Sequence, residues 1–329
     1  MSQNTESNGF LISSMPHMRS RLHTSHIMRD VVIALLPVTI IAMFNFGLQG
    51  SSVIAVTIIS CILFEYLYQR LLKKETTIKD FSAVITGLLL ALSVPATMPL
   101  WAMVVASFFA IVVVKQLFGG IGQNFVNPAL AARAFLLAAY PSLVTNHSFG
   151  VGPDAVAGAT PLAAFAGARL HMPNLEAVWN ILWGFGTTRS AMGEVATILV
   201  IAGGIYLLVR KVINWRIPAF FIATTALMFY VFGRFGLMTG QPHYEIFLGG
   251  LMIGAFFMAT DYATSPMTAM GQIVFGIGCG FITAIIRLWG GFPEGVTYAI
   301  LLMNLLVPLI DKATKPRVYG TKRLKEELK

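Results

Sequence analysis

Apolar residues in this chain gather into ten runs, near 29–48, 51–72, 81–95, 98–118, 127–140, 192–212, 217–236, 244–262, 268–288 and 295–310. A helix needs about 20 such residues to cross the hydrocarbon of a bilayer, so the runs at 81–95 and 127–140 are short and the others long enough. Inside lipid each backbone N–H and C=O must be satisfied within its own segment, which restricts such runs to helices. Residues are 56% hydrophobic and only 11% charged, where a soluble domain carries about 25% charged residues. The expected fold class is therefore all-α: a polytopic membrane protein of about ten transmembrane helices.

The net charge of +9 would suit nucleic acid if it formed a patch. Most of the Lys and Arg instead fall in alternate short loops, so nucleic acid is excluded as a partner. Arg19, Arg21 and Arg29 precede the first run; Arg70, Lys73, Lys74 and Lys79 follow the second; Lys115 ends the fourth; Arg210, Lys211 and Arg216 follow the sixth; and a basic tail begins at Lys312. The loops at 49–52 and 95–99 carry neither Lys nor Arg. The positive-inside rule then puts both termini in the cytoplasm and the 141–191 segment outside. The N-terminal residues do not read as a cleavable signal. Five sections follow: a cytoplasmic segment 1–26, a first transmembrane repeat 27–140, an extracytoplasmic loop 141–191, a second repeat 192–311 and a basic tail 312–329.

The repeat is read from punctuation. Pro95 and Pro266 are 171 residues apart, as are Gly119-Gly120 and Gly290-Gly291, each pair in the same apolar context. Five spans per half make the second copy inverted, an arrangement that brings broken helices together near mid-membrane.

Several segments bring polar groups into this apolar frame. In 119-GGIGQNFVNPALAARAF-135 the glycines free backbone groups from helical bonding, Asn124 and Asn127 supply amides, and Pro128 restarts a helix. Arg133 then stands inside the membrane as a cation that needs a partner. In 290-GGFPEGVTYAILLMN-304, Glu294 opens the matching helix, where the helix dipole alone would favour a carboxylate. Glu65, inside the second run, is expected to turn inward, there to pair with a cation or take part in ion passage, and Asp261 is a further acidic candidate on the cytoplasmic side. Arg189 and Glu194 are expected to form a surface pair beside a helix beginning near Met192. Cys61 and Cys279 lie in separate apolar runs, and neither CxxC nor HExxH is present, so no metal centre is expected from this chain alone.

The run 151-VGPDAVAGATPLAAF-165 differs from all of these. It is a loop of small residues, and Thr160, flanked by Gly158, Ala159 and Pro161, has a sterically open hydroxyl. From loop chemistry alone Thr160 is a turn residue.

The stretch DAVAGATPLAAF resembles the flavin-attachment segment of the integral-membrane family formed by RnfD of the Rnf complex and NqrB of the sodium-pumping NADH:quinone oxidoreductase. The resemblance extends over nearly the whole chain, through LLPVT (35–39), GGIGQNFVNPALAARAF (119–135), YP (140–141), WRIP (215–218), ATDYATSP (259–266) and GGFPEGVTYAILLMN (290–304). It implies that FMN is joined through its phosphate to Thr160 by a separate flavin transferase outside the cytoplasm, with Asp154, Gly158 and Ala159 as the transferase's recognition mark. Where Ala157 stands, the family usually has Ser or Thr. A second, non-covalent flavin, riboflavin, is implied toward the cytoplasmic side, with Asn124, Asn127 and Arg133 as candidates for lining it. The implied fold is urea-transporter-like, with two inverted five-helix repeats.

As function, the resemblance implies an electron-carrying subunit of an ion-translocating oxidoreductase in the bacterial inner membrane. Electrons would pass between ferredoxin and NAD through flavins and iron–sulfur clusters of partner subunits, coupled to Na+ or H+ movement. Two other readings fit the same layout: a flavin-free solute channel or transporter, and the quinone-linked relative NqrB.

Overall fold

A computed structural model describes residues 24–145, 147–149, 156–158, 179, 182–183, 191–233, 242–290 and 294–316. The first two apolar runs form one long element, α1 (Thr24–Leu71), broken at Gly47. Gly47 has φ 56° and ψ −142°, a conformation for which glycine carries no Cβ penalty, so the chain turns there between two helices. Next come α2 (Ser82–Leu92) and α3 (Leu100–Phe108), the latter running on as a π-helix over Phe109–Gln116. A loop with positive φ at Gly119, Gly120 and Gly122 leads to α4 (Pro128–Ala139) and the short α5 (Pro141–Thr145).

Two three-residue strands then pair antiparallel, β1 (His147–Phe149) with β2 (Val156–Gly158), and His147 faces Gly158. This ribbon is a small departure from the all-α expectation. Beyond it lie a 3₁₀ turn at Met192–Glu194, α6 (Thr197–Val209), α7 (Arg216–Val231), α8 (Pro242–Phe247) and α9 (Leu251–Ile253), which passes into a π-helix at Gly254–Met258. The last helices are α10 (Ala269–Trp289) and α11 (Val296–Thr314).

The helix expected from about 192 starts instead at Thr197, because Ala196 takes a left-handed conformation (φ 66°) and Val195 is extended. The expected span 244–262 is likewise divided, with Gly249 (φ 79°) between α8 and α9.

Among the described residues three helices are long and apolar enough to cross a membrane, α1, α10 and α11, and α2, α3 with its continuation, α4, α6 and α7 are shorter apolar helices. Their outer faces are apolar: Phe44 is 82% exposed and Leu48 92%. Polar groups such as Glu65, Lys115, Arg133, Arg287 and Gln116 are buried. Water would disfavour such large apolar faces and a bilayer accepts them, so the chain reads as a multi-pass membrane protein.

Inside, α1 packs on α2, α3 and α6; α10 packs on α7 and α11; and α4 meets α11 across the two halves of the chain. The α1–α6 contact is close because position 203 is glycine. A Cβ on Gly203 would stand 2.5 Å from the carbonyl oxygen of Ala34. α4 packs on α2, α3, the first π-helix and α11, with one end on a cavity and its middle on a group of buried charges.

Candidate functional site

The cavity has a volume of about 320 Å³, at the lower end of the roughly 300–1,000 Å³ usual for small-molecule and cofactor sites. Its walls come from α1, α2, α4, α6 and the second π-helix. Ile27, Val31, Leu89, Leu207, Phe256 and Phe257 make them apolar, and Lys115, Asn124, Asn127, Thr260 and Asp261 supply the polar groups.

Asn127 is placed here by a local rule. It is the N-cap of α4, accepting from the backbone N–H of Ala129 at 3.0 Å and of Leu130 at 3.3 Å, with proline at the first helical position. Its amide donates to the Met258 carbonyl at 3.1 Å. With the Asn304 amide of α11 oriented so that its oxygen faces a donor and its nitrogen an acceptor, it accepts from the Asn127 backbone N–H at 3.2 Å and donates to the Thr264 carbonyl at 3.1 Å. Asn127 thus ties α4, α11 and the second π-helix together at the cavity wall, and one amide hydrogen remains for a ligand. Asn124 donates to the Val126 carbonyl at 3.1 Å, and Asp261 accepts from Thr264 at 3.2 Å.

Lys115 reaches the cavity from the end of the first π-helix, a conformation common at functional sites. Its ammonium donates to both oxygens of Glu65, at 3.0 and 2.9 Å, and to the Ser82 hydroxyl at 2.7 Å. Glu65 also accepts from Gln116 at 2.9 Å and from Thr77 at 3.1 Å. The expected inward turn of Glu65 toward a cation is found, and the cation is Lys115. Lys115, counted from sequence among the cytoplasmic loop charges, is in fact buried, because the carboxylate offsets its desolvation. Near the cavity, Asp30 of α1 pairs with Arg210 at the end of α6, at 3.0 and 3.2 Å.

Arg133 is not among the residues lining this cavity. It lies six residues into α4 from Asn127, about 9 Å along the axis at 1.5 Å per residue. There its guanidinium pairs with Glu294. Glu194, expected at the surface beside Arg189, is buried in the same group; Arg189 lies outside the described residues. Arg287 completes it, donating to the Glu294 carbonyl at 3.1 Å and pairing with Glu245 at 3.6 Å. Glu245 and Arg287 belong to none of the motifs singled out from sequence. The signal available was an ionisable residue within an apolar run.

Of the expected attachment segment, Gly158 is the last residue of β2. Asp154, Ala159 and Thr160 lie outside the described residues.

Comparison with known proteins gives these features a family. The chain is 48% identical, over 97% of its length and 98% of the relative's, to the D component of the Na(+)-translocating ferredoxin:NAD(+) oxidoreductase complex of Acetobacterium woodii. It is 43% identical, over 96% and 98%, to the D component of the proton-translocating ferredoxin:NAD(+) oxidoreductase complex of Clostridium ljungdahlii. The D component of the ion-translocating oxidoreductase complex of Aliivibrio salmonicida is 34% identical over 95% and 99%. The model of the NQR2, RnfD, RnfE family matches residues 11–320. The chain belongs to the NQR2, RnfD, RnfE family.

Proposed function

We propose that this chain is the membrane-embedded electron-transfer subunit of an ion-translocating ferredoxin:NAD oxidoreductase, carrying FMN on Thr160 and riboflavin in the cavity beside Asn127. The observation that carries the reading is the near full-length match to the D components of two such complexes, at 48% and 43% identity. The segment around Thr160 supports the covalent flavin: a hydroxyl in a run of small residues is open to a transferase. The cavity supports the second flavin, because it is apolar on its broad walls and polar where Asn124, Asn127, Thr260 and Asp261 converge.

A bound flavin supplies the one- and two-electron chemistry, while the protein sets its position and electrostatic surroundings. This chain's residues would act as follows. The apolar walls would exclude water from the ring. Asn124 and the remaining amide hydrogen of Asn127 would donate to ring acceptors, and the Asp261 carboxylate and Thr260 hydroxyl would accept from ring N–H groups. Lys115, held by Glu65, would present a fixed dipole. The partners are the other subunits of an Rnf-type complex, with flavins and iron–sulfur clusters, together with the flavin transferase, and the coupled ion is Na+ or H+.

The inverted five-helix repeat and the outward placement of the Thr160 loop belong to the same proposal. At the 171-residue displacement, α2, α3 and α4 correspond to the second π-helix, α10 and α11, and Arg133 corresponds to Asn304. Those two side chains make reciprocal contacts, each from the last helix of one half to a segment preceding the last helix of the other.

Denaturing gels under ultraviolet light test the covalent flavin. The chain from its native host is expected to fluoresce and the Thr160→Ala variant to be dark; a dark wild-type band points instead to a flavin-free channel of the same layout. Thr86→Phe, which fills the cavity, is expected to remove acid-extractable riboflavin while leaving gel fluorescence intact. Undiminished riboflavin in that variant would place the second flavin elsewhere.

A further inference from the structure

One hydroxyl on the cavity wall is engaged differently from its neighbours. Thr86 donates its hydroxyl hydrogen to the Ser82 carbonyl at 3.0 Å, and Thr260 donates to the Phe256 carbonyl at 2.6 Å, so toward a ligand these two can only accept. Ser82, the first residue of α2, lines the same cavity. Its oxygen accepts from the Lys115 ammonium at 2.7 Å, and among the described residues its own O–H has no acceptor. Accepting that bond occupies a lone pair and leaves the hydroxyl hydrogen for a ligand.

The ammonium behind Ser82 is fixed. Its other two hydrogens go to the two oxygens of Glu65, which is braced in turn by Gln116 and Thr77. Lys115 therefore has no hydrogen left to offer a ligand and reaches one only through Ser82. Lys115 lines the cavity and Glu65 does not, so the pair turns its positive end toward the space a ligand would fill. A hydroxyl that accepts from a cation donates more strongly, because each hydrogen bond in such a chain polarises the next. Such a donor suits an oxygen that gains negative charge.

Resting on the reading of the cavity as a flavin site, we infer that Ser82 binds the flavin directly, donating its hydroxyl to a ring carbonyl oxygen, and that Lys115 and Glu65 act through Ser82 as positioning residues that favour the reduced flavin. Reduction of the ring raises the negative charge on its carbonyl oxygens, and a hydrogen bond to a charged acceptor is the stronger kind. Loss of this donor therefore weakens binding of the reduced flavin more than of the oxidised form. The midpoint potential of the bound flavin falls as a result.

The test uses the full-length chain carrying Thr160→Ala, in which riboflavin is the remaining flavin, and reads the riboflavin midpoint potential by optical titration. Ser82→Thr keeps the hydroxyl, and Ser82→Val has the same shape with a methyl group in its place. Ser82→Val is expected to lower the ratio of affinities for reduced and oxidised riboflavin about tenfold, which is about 30 mV off the potential of a two-electron couple. Ser82→Thr should stay at the parent potential. Glu65→Leu/Lys115→Met, which removes both charges together, should lower the potential too, and Ser82→Val added to that pair should lower it less than Ser82→Val does alone. Loss of riboflavin from Ser82→Val but not from Ser82→Thr would also support the contact. An unchanged potential in Ser82→Val, the same shift or loss in the Val and Thr variants, or additive shifts in the triple variant would overturn the inference and leave the flavin reading standing. Absence of riboflavin from the parent chain would remove that reading, and the inference with it.

Discussion

Glu65 and Lys115 show how a charge is held inside this bundle. The carboxylate is fully buried and receives donors from Lys115, Gln116 and Thr77, which come from the first π-helix and the loop after α1. Removing one member of such a pair leaves the other as an uncompensated buried charge, at a cost of about 3–5 kcal/mol. Lys115→Met is therefore expected to lower the melting temperature of the detergent-solubilised protein sharply, and the double variant Glu65→Leu/Lys115→Met to recover most of the loss. Equal destabilisation by the single and double changes would show that the pair is not coupled. The sequence makes a partner for Glu65 necessary but does not name it, because the pairing residue is 50 positions away. Arg133 and Glu294, 161 positions apart, are each legible as candidates, yet nothing in the sequence connects them to one another. Residue types tell which groups need satisfaction, and only the packing of helices tells which group satisfies them. Asn127 is legible in another way: an amide before a proline is a helix cap by local rules, and the cap is what the fold uses. Asn127→Ala should cost about 1 kcal/mol through loss of the cap, measured as a lower melting temperature, with a further loss because the Met258 contact goes as well.

At the scale of elements, the apolar runs at 81–95, 98–118, 127–140 and 268–288 become α2, α3 with its π continuation, α4 and α10, with ends displaced by only a few residues. Lipid-length apolar runs with Pro or Gly at their ends leave little choice of structure. The two π-helices are not legible, since a π-turn depends on how neighbours fill the space beside it and not on a residue pattern. Nor is the late start of α6, which follows from a left-handed backbone at Ala196. The closeness of α6 to α1 gives an element-scale prediction. Gly203→Ala would bring a methyl group against the Ala34 carbonyl, and overpacking of this kind costs about 1–3 kcal/mol. Because Leu207 of α6 and Val31 of α1 both line the cavity, the variant is also expected to retain less acid-extractable riboflavin than wild type. Retention at the wild-type level would mean that the α1–α6 contact does not shape the cavity.

For the whole molecule, charge distribution and exposed apolar faces together define how the chain sits in a bilayer. Both native cysteines, Cys61 and Cys279, are buried and unpaired, so single introduced thiols report topology cleanly. In right-side-out vesicles an impermeant maleimide is expected to label Ser51→Cys and to leave Lys312→Cys unlabelled until the membrane is opened. The reverse pattern would invert the proposed orientation and put the Thr160 loop in the cytoplasm. Placement of that loop matters because the proposed covalent flavin on Thr160 would separate an electron carrier from a channel built on the same helices. The most direct measurement is the intact mass of the polypeptide purified from its native host. It is expected to exceed the sum of its residues by one FMN less water, with the increment confined to the peptide containing Thr160. A mass equal to the unmodified chain, or an increment on any other residue, would contradict the assignment.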